Sequence, residues 1–213
     1  MLSHNMKILL IIFPAIILLM GMKEDSVIVD SNMTFEEAIA GTKSPQSVID
    51  DLVLLNLEYF STDGKIHRGQ LIVSKSVRKD IEAIFKKMLQ MKFVVNKMYP
   101  IVKYNWSDDA SMRDNNTSAF NYRFIAGTKR LSNHSFGRAV DINPRWNPVI
   151  HKNGQLSPTN GEYDTTRNGT FYANHPIVQE FKKRGWRWGG EFKKYRDNHH
   201  FDFPEKKMTI KYY

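Results

Sequence analysis

The stretch from about Ser76 to Lys92 limits the fold more than any other. Val77, Ile81, Ile84, Phe85, Met88 and Leu89 recur there at spacings of three and four with lysines and a glutamate between them, which is the pattern of one amphipathic helix laid on a core. It is the clearest helix in the sequence, and the other elements are short. Thr34 to Ala40 is a brief helical candidate in which Thr34 can cap and Glu37 stands three residues on, as in a capping box. Ser47 to Phe60 carries Val48, Leu52, Leu55 and Tyr59 at helix-like spacing, yet its β-branched and aromatic end suits a strand equally well. Asp63-Gly64 marks a turn, and Gly69 to Ser74 reads as a strand around Leu71, Ile72 and Val73. Residues 93 to 104 read as a strand approached through the Tyr99-Pro100 bend, and Trp106 to Asn121, rich in Asp, Ser and Asn, as a loop.

Chemistry-bearing residues gather in the second half. Asn143-Pro144 stops the segment from Leu131 to Ile142, and Asn147-Pro148 opens an irregular stretch that runs to Ala173. A loop of that length inside a compact domain is more often functional than idle, so it is expected to border a cleft as a mobile rim. Pro176 to Arg184 reads as a helix closed by Gly185, and Trp186 to Gly190 as an aromatic strand and turn. Trp186 and Trp188 suit a groove wall or the core. The run His199 to Phe203 alternates like a strand, with His200 and Asp202 on one face and Phe201 and Phe203 on the other.

The chain has 213 residues, 41% of them hydrophobic and 25% charged, which is room for one sizeable domain. Lys7 precedes an apolar run from Ile8 to Met22 that is interrupted only by Pro14, Ala15 and Gly21. That is the layout of a secretory signal, and it falls short of the roughly 20 apolar residues that a membrane-spanning helix needs. No clean small-x-small pair precedes Lys23, so an uncleaved N-terminal membrane anchor stays open. Residues 1–22 are therefore a signal peptide or anchor, 23–46 a polar lead-in and 47–213 the working domain. The expected location is outside the cytoplasm, in a periplasm or cell envelope, and a monomer is expected.

There is no cysteine. Disulfides, thiolate metal sites and lipid attachment through Cys are excluded, so any metal must sit on His, Asp or Glu. The net charge of +9 would draw an exported protein to anionic polymers or lipid head groups. No Arg/Lys stripe interleaved with aromatics defines a nucleic-acid surface, and no nucleic-acid partner is expected.

In Ser132-Asn133-His134-Ser135-Phe136-Gly137-Arg138-Ala139-Val140-Asp141, a His and an Asp stand seven apart across a Gly. Zinc accepts imidazole nitrogen and carboxylate oxygen, and a catalytic site keeps three protein ligands and an open position. His134 and Asp141 can supply two. A third must come from elsewhere, and Asp197-Asn198-His199-His200 offers both a ligand and a base. A lone His near an Asp is ordinarily a hydrogen-bonded pair, and His4, His67, His151 and His175 lack comparable company.

Ser132 to Asp141 resembles the Ser-x-His-x-x-Gly-x-Ala-x-Asp pattern of the VanY-like zinc D-alanyl-D-alanine carboxypeptidase and L-alanyl-D-glutamate endopeptidase family, at every fixed position. The segment from Gly185 through Asp197-x-x-His200-Phe201 is similar to that family's second motif. Asp63-Gly64-Lys65, the strand after Gly69 and Asn116 to Arg123 follow the family order, so the likeness spans roughly residues 47 to 203. It implies an α+β fold, a small antiparallel sheet flanked by helices as in hedgehog proteins and D,D-peptidases. It also implies zinc on His134, Asp141 and His200, Asp197 as general base and Arg123 stabilising the oxyanion. Ser132 becomes a candidate for holding a substrate carboxylate or orienting its loop. Relatives ending in Glu-x-x-His place glutamate where this chain has Asp197, which keeps Glu191 as a competing base. His199 is read as a neighbour of the ligands rather than one of them, and Gly137 as either a close backbone approach between two of them or an ordinary turn glycine. The implied activity is hydrolysis of peptidoglycan stem peptides. The competing reading is a metal-containing wall-binding module of the same fold that lacks catalysis.

Overall fold

The computed structural model describes residues 26–204. The apolar run Ile8–Met22, and with it the signal or anchor reading, lies outside the described residues. Strand β1 (Ile28–Val29) leads to helix α1 (Phe35–Ala38), closed at its start by the expected capping box. Glu37 N–H donates to Thr34 Oγ1 and Thr34 N–H to Glu37 Oε2. Helix α2 (Gln46–Ile49) is one turn long and strand β2 (Leu52–Phe60) follows. The ambiguous segment thus divides: Pro45 starts a turn of helix, and the β-branched and aromatic remainder pairs as a strand. Nine residues of β2 pair antiparallel with β3 (Ile66–Ser74), in register from Leu52 opposite Ser74 to Phe60 opposite Ile66. The Asp63-Gly64 turn joins them, and β1 adds to the far edge of β3 in parallel.

Helix α3 (Arg78–Gln90) buries Ile81, Ile84, Phe85 and Met88 against the face of the hairpin that carries Leu55, Leu57, Tyr59, Leu71 and Val73. Each such side chain contributes about 1.5–3 kcal/mol of apolar transfer. On the other face Leu52 and Ile72 pack with Ala38 and Phe120.

Beyond α3 the chain departs from expectation. Val94 makes a single parallel bridge with Phe60, Lys97–Met98 (β4) pairs parallel to β5 (Asn116–Thr117), and Ile101–Tyr104 forms a 3₁₀ turn behind Pro100. Within the expected loop lies α4 (Asp108–Arg113), because Ser107 Oγ accepts from Ala110 N–H and Asp108 and Asp109 favour a helix N-terminus. The asparagines that suggested a loop serve as buried ties. Asn116 exchanges hydrogen bonds with Tyr99, and Asn143 and Asn147 both donate to the Gly169 carbonyl.

Strand β6 (Ala139–Asp141) follows. The stretch from Pro148 to Ala173 begins with β7 (Val149–Ile150) and β8 (Leu156–Ser157), a pair that adds to β10 (Arg196–Asp197). Its far end is not a loose rim, since Phe171 is fully buried and its N–H donates to Asn147 Oδ1. Helix α5 (Pro176–Lys183) ends before Gly185, whose φ of 88° suits glycine. Strand β9 (Arg187–Trp188) pairs with β11 (His200–Asp202), which also pairs with β6, all antiparallel. Trp186 and Trp188 are both buried. Their indole N–H groups donate to Asp80 and to the Asn198 carbonyl, so they belong to the core. The result is a mixed α+β fold of small sheets and few helices.

Candidate metal centre

Strand pairing brings two candidate ligands together directly. In the β6–β11 ladder His200 stands opposite Asp141, Phe201 opposite Val140 and Asp202 opposite Ala139. The alternation turns Phe201 into the core, stacked on Phe181 with ring centroids 4.0 Å apart, and leaves His200 and Asp202 on the opposite face. The third comes from the 3₁₀ turn Asn133–Phe136, just upstream of β6. Ser132 starts this turn, its Oγ accepting from His134 N–H, and Gly137 ends it in the left-handed region at φ 62°.

His134 Nε2 and His200 Nδ1 lie 3.1 Å apart. Asp141 Oδ2 is 3.1 Å from the first and Oδ1 2.9 Å from the second. Tetrahedral coordination at about 2.1 Å sets ligand atoms roughly 3.4 Å apart, so a small contraction separates this cluster from a three-ligand metal site. The ring nitrogens on the far sides are oriented as metal-bound histidines require. His134 Nδ1 reaches the Ala119 carbonyl at 2.5 Å, and His200 Nε2 faces Asp202 Oδ2 at 3.7 Å, a charge contact longer than a hydrogen bond. Asp202 is itself gripped by Arg187 and by Asn133 Nδ2. The residues fit a divalent cation bound by two nitrogens and one carboxylate, with His200 on the open side.

The electrostatics agree. Burial alone would raise the Asp141 carboxyl, but the charges of His134 and His199 and hydrogen bonds from His134 and His200 hold it well below the usual carboxylate range. Burial would lower His200, and the bonds to Asp141 and Asp202 lift it well above its ordinary value. Among the described residues no lysine or arginine pairs with Asp141, which favours a cation between its oxygens and the imidazoles.

Asp197 lies beside this cluster, its main chain and Cβ in contact with Gly189 together with His200 Cβ. Its buried Oδ1 is 3.0 Å from His199 Nε2, an ion-pair approach off the line of a good hydrogen bond, and accepts no hydrogen bond. His199 points away from the cluster, with Nδ1 on the Asn147 carbonyl. Burial pushes its imidazole down, but Asp197 and Asp141 raise it to about 9, and the same pairing keeps Asp197 ionised. Glu191 turns outward to Lys182 at 2.7 Å. Asp197, by contrast, interacts electrostatically with both His200 and Asp141.

To stabilise an oxyanion, Arg123 would have to aim its guanidinium at the metal rather than at a carboxylate. Instead Nη2 pairs with Asp108 Oδ2 at 2.9 Å, because α4, absent from the sequence reading, carries that carboxylate alongside. Its Nε is buried without a partner, and its backbone is tied to the ligand turn, with N–H donating to Ser135 Oγ and the carbonyl accepting from Ser132 N–H. Arg123 and Asp197 both act electrostatically on Tyr195. Ser132 is buried and its Oγ caps the ligand turn, the second of the two roles considered for it. Gly137 makes its close approach to a different neighbour than expected. A Cβ there would lie 2.5 Å from Ser74 N on β3, not between two ligands. The sequence reading assigned no role to Asp202 or Asn147. The period-two alternation already set Asp202 beside His200, but the carbonyl contacts of Asn147 had no sequence signal.

In this mixed α+β domain, the His134, Asp141 and His200 cluster has a donor set that could hold a metal ion. Residues 126–203 match a family model described as D-alanyl-D-alanine carboxypeptidase. That stretch holds Ser132, His134, Asp141, Asp197 and His200, begins just after Arg123, and supports a peptidase of this family broadly. Comparisons with curated proteins and with solved structures gave no match.

Proposed function

We propose that this chain is a zinc-dependent peptidase of the VanY-like type, with a hedgehog/D,D-peptidase-like arrangement of its ligand sheet. It acts on peptidoglycan stem peptides as a D-alanyl-D-alanine carboxypeptidase or L-alanyl-D-glutamate endopeptidase. The observation that carries this reading is the convergence of His134, Asp141 and His200, with the Asp197 carboxylate near enough to interact electrostatically with His200 and Asp141. The family match over residues 126–203 supports the reaction class. The run after Lys7 and the charge of +9 support action in the cell envelope.

His134, Asp141 and His200 would hold the zinc, which when bound would supply a Lewis acid and a water of lowered pKa. Asp197, kept ionised beside the charge of His199, takes the proton of the attacking water on its carboxylate and then returns it to the leaving amine. Arg123 offers its unpartnered Nε and its charge to the oxygen that becomes negative as the carbonyl is attacked. No side chain need bond covalently to substrate. The non-catalytic wall-binding module would require loss of a water-activating carboxylate, and Asp197 is present.

Zinc content and muropeptide products, measured together, test this. Asp197→Asn should keep the metal and lose on the order of 10²- to 10⁴-fold in turnover, whereas His200→Ala should lose metal and activity together. Turnover at the parent rate by metal-loaded Asp197→Asn would remove Asp197 from the mechanism. Metal binding without any peptide product from the parent would favour the binding module.

A further inference from the structure

The recess next to the metal centre has a chemistry that the proposed reaction does not yet use. It has a volume of about 200 Å³, and four of its lining side chains are Lys152, Lys193, Lys194 and Arg196. All four are exposed, and none has an ion-pair partner among the described residues. The nearby carboxylates are engaged elsewhere, Glu191 with Lys182 and Asp197 with His199. The positive charge is therefore uncompensated where the chain folds back on itself, β10 pairing with β7 so that Arg196 stands opposite Ile150.

A line of rings joins this charge to the ligands. The Phe192 ring lies 6.1 Å from that of His200, Tyr195 lies 6.1 Å from Phe192, and His151 lies 6.5 Å from Tyr195. Tyr195 is 37% exposed and lines the recess itself. Rings give a flat wall for an extended backbone, and the lysines and arginine give donors for carboxylates. An extended peptide advances roughly 3.3–3.6 Å per residue, so one whose scissile bond is at the cluster reaches the recess within about four residues.

We propose that this recess is a specificity subsite for acidic peptides. It selects substrates that carry free carboxylates within about four residues of the bond to be cut. The proposal rests on the peptidase reading for its register but not for its existence, since binding can be measured without cleavage.

The test uses zinc-loaded full-length chain carrying Asp197→Asn, a short peptide with free side-chain carboxylates, and the same peptide with those carboxylates amidated. Binding is measured by calorimetry at low and at physiological salt. The acidic peptide should bind about tenfold more tightly than the amide at low salt, and the preference should shrink as salt rises. Lys193→Ala combined with Lys194→Ala should reduce the preference to about twofold while zinc content and thermal midpoint stay at the starting values. Equal binding of the two peptides, or a preference unchanged by the lysine substitutions, would overturn the proposal. So would inorganic polyphosphate binding more tightly than the acidic peptide with the same lysine dependence, since the recess would then be a general polyanion site. Cleavage by the chain with Asp197 intact is scored separately. A lysine-dependent preference without any product leaves the subsite standing and removes the peptidase reading, and product formed without a preference does the reverse.

Discussion

Mild acid should destabilise this protein through a histidine that plays no part in the proposed reaction. His175 caps α5, its Nδ1 accepting from Ile177 N–H at 3.2 Å, and its ring packs edge-on against Phe93, Phe171 and Tyr172. Protonation would occupy the accepting nitrogen and place a charge among rings. Burial accordingly pushes this imidazole from 6.5 down to about 4. The folded value lies below the unfolded one. The stabilisation is thus complete above about pH 6.5 and is lost as pH falls toward 4, where the folded ring is protonated as well. The whole displacement amounts to about 3 kcal/mol at about 1.36 kcal/mol per pH unit, of which about 2 kcal/mol falls between pH 7 and pH 5. His175→Asn keeps a capping oxygen and removes the titration. Urea unfolding of parent and variant at both pH values, in chelator so that metal release does not contribute, reads the difference. Groups shared by the two proteins cancel, and the variant should lose about 2 kcal/mol less than the parent over this interval. Losses equal to within about 0.5 kcal/mol would refute the account of His175 as a neutral, buried cap.

Two further outcomes follow from the site. Gly137→Ala puts a methyl group 2.5 Å from Ser74 N at a φ of 62°, and should cost about 2 kcal/mol or more of stability by urea unfolding. It should also weaken zinc binding, because the ligand turn ends there. Arg123→Ala should lower kcat by about 10²- to 10³-fold with zinc content unchanged. Asp108→Asn, which frees the guanidinium but keeps its charge, should retain more activity than Arg123→Ala by the same assay.

The site was more legible in the sequence than the scaffold around it, and the reasons are physical. Spacing alone offered His134 and Asp141 as a pair and left the third ligand open, and the family resemblance added His200, on a strand whose period-two alternation the sequence does show. The helix around Ile81 and Ile84 was legible because its pattern runs over several turns. Helix α4 was not, since six residues carry too little periodicity and its Ser107 cap looks like loop chemistry. Strands of two residues such as β4 and β5 are held by long-range partners, chiefly Asn116 on Tyr99, and nothing in their own composition announces them. The Arg123–Asp108 pair was missed for the same reason, because its carboxylate sits on the unseen helix. Trp186 and Trp188 show the complementary case, where an alternating aromatic pair suits core and groove alike and only the partners of the indole N–H groups decide.

The pairing of His200 with Asp141 also works as a proofreader of strand alignment. Sliding β11 by one residue against β6 would set Phe201 opposite Asp141 and drive an aromatic ring into the polar side of the sheet. Sliding it by two in one direction keeps the inside-outside parity, the usual loophole for a three-residue strand, but sets Asp202 opposite Asp141 and brings two carboxylates face to face. Of these arrangements, only the native one places opposite charges across the ladder. The residues that gather a cation thus also penalise the misfolds closest to the native state, and a cation bound there would raise that penalty further.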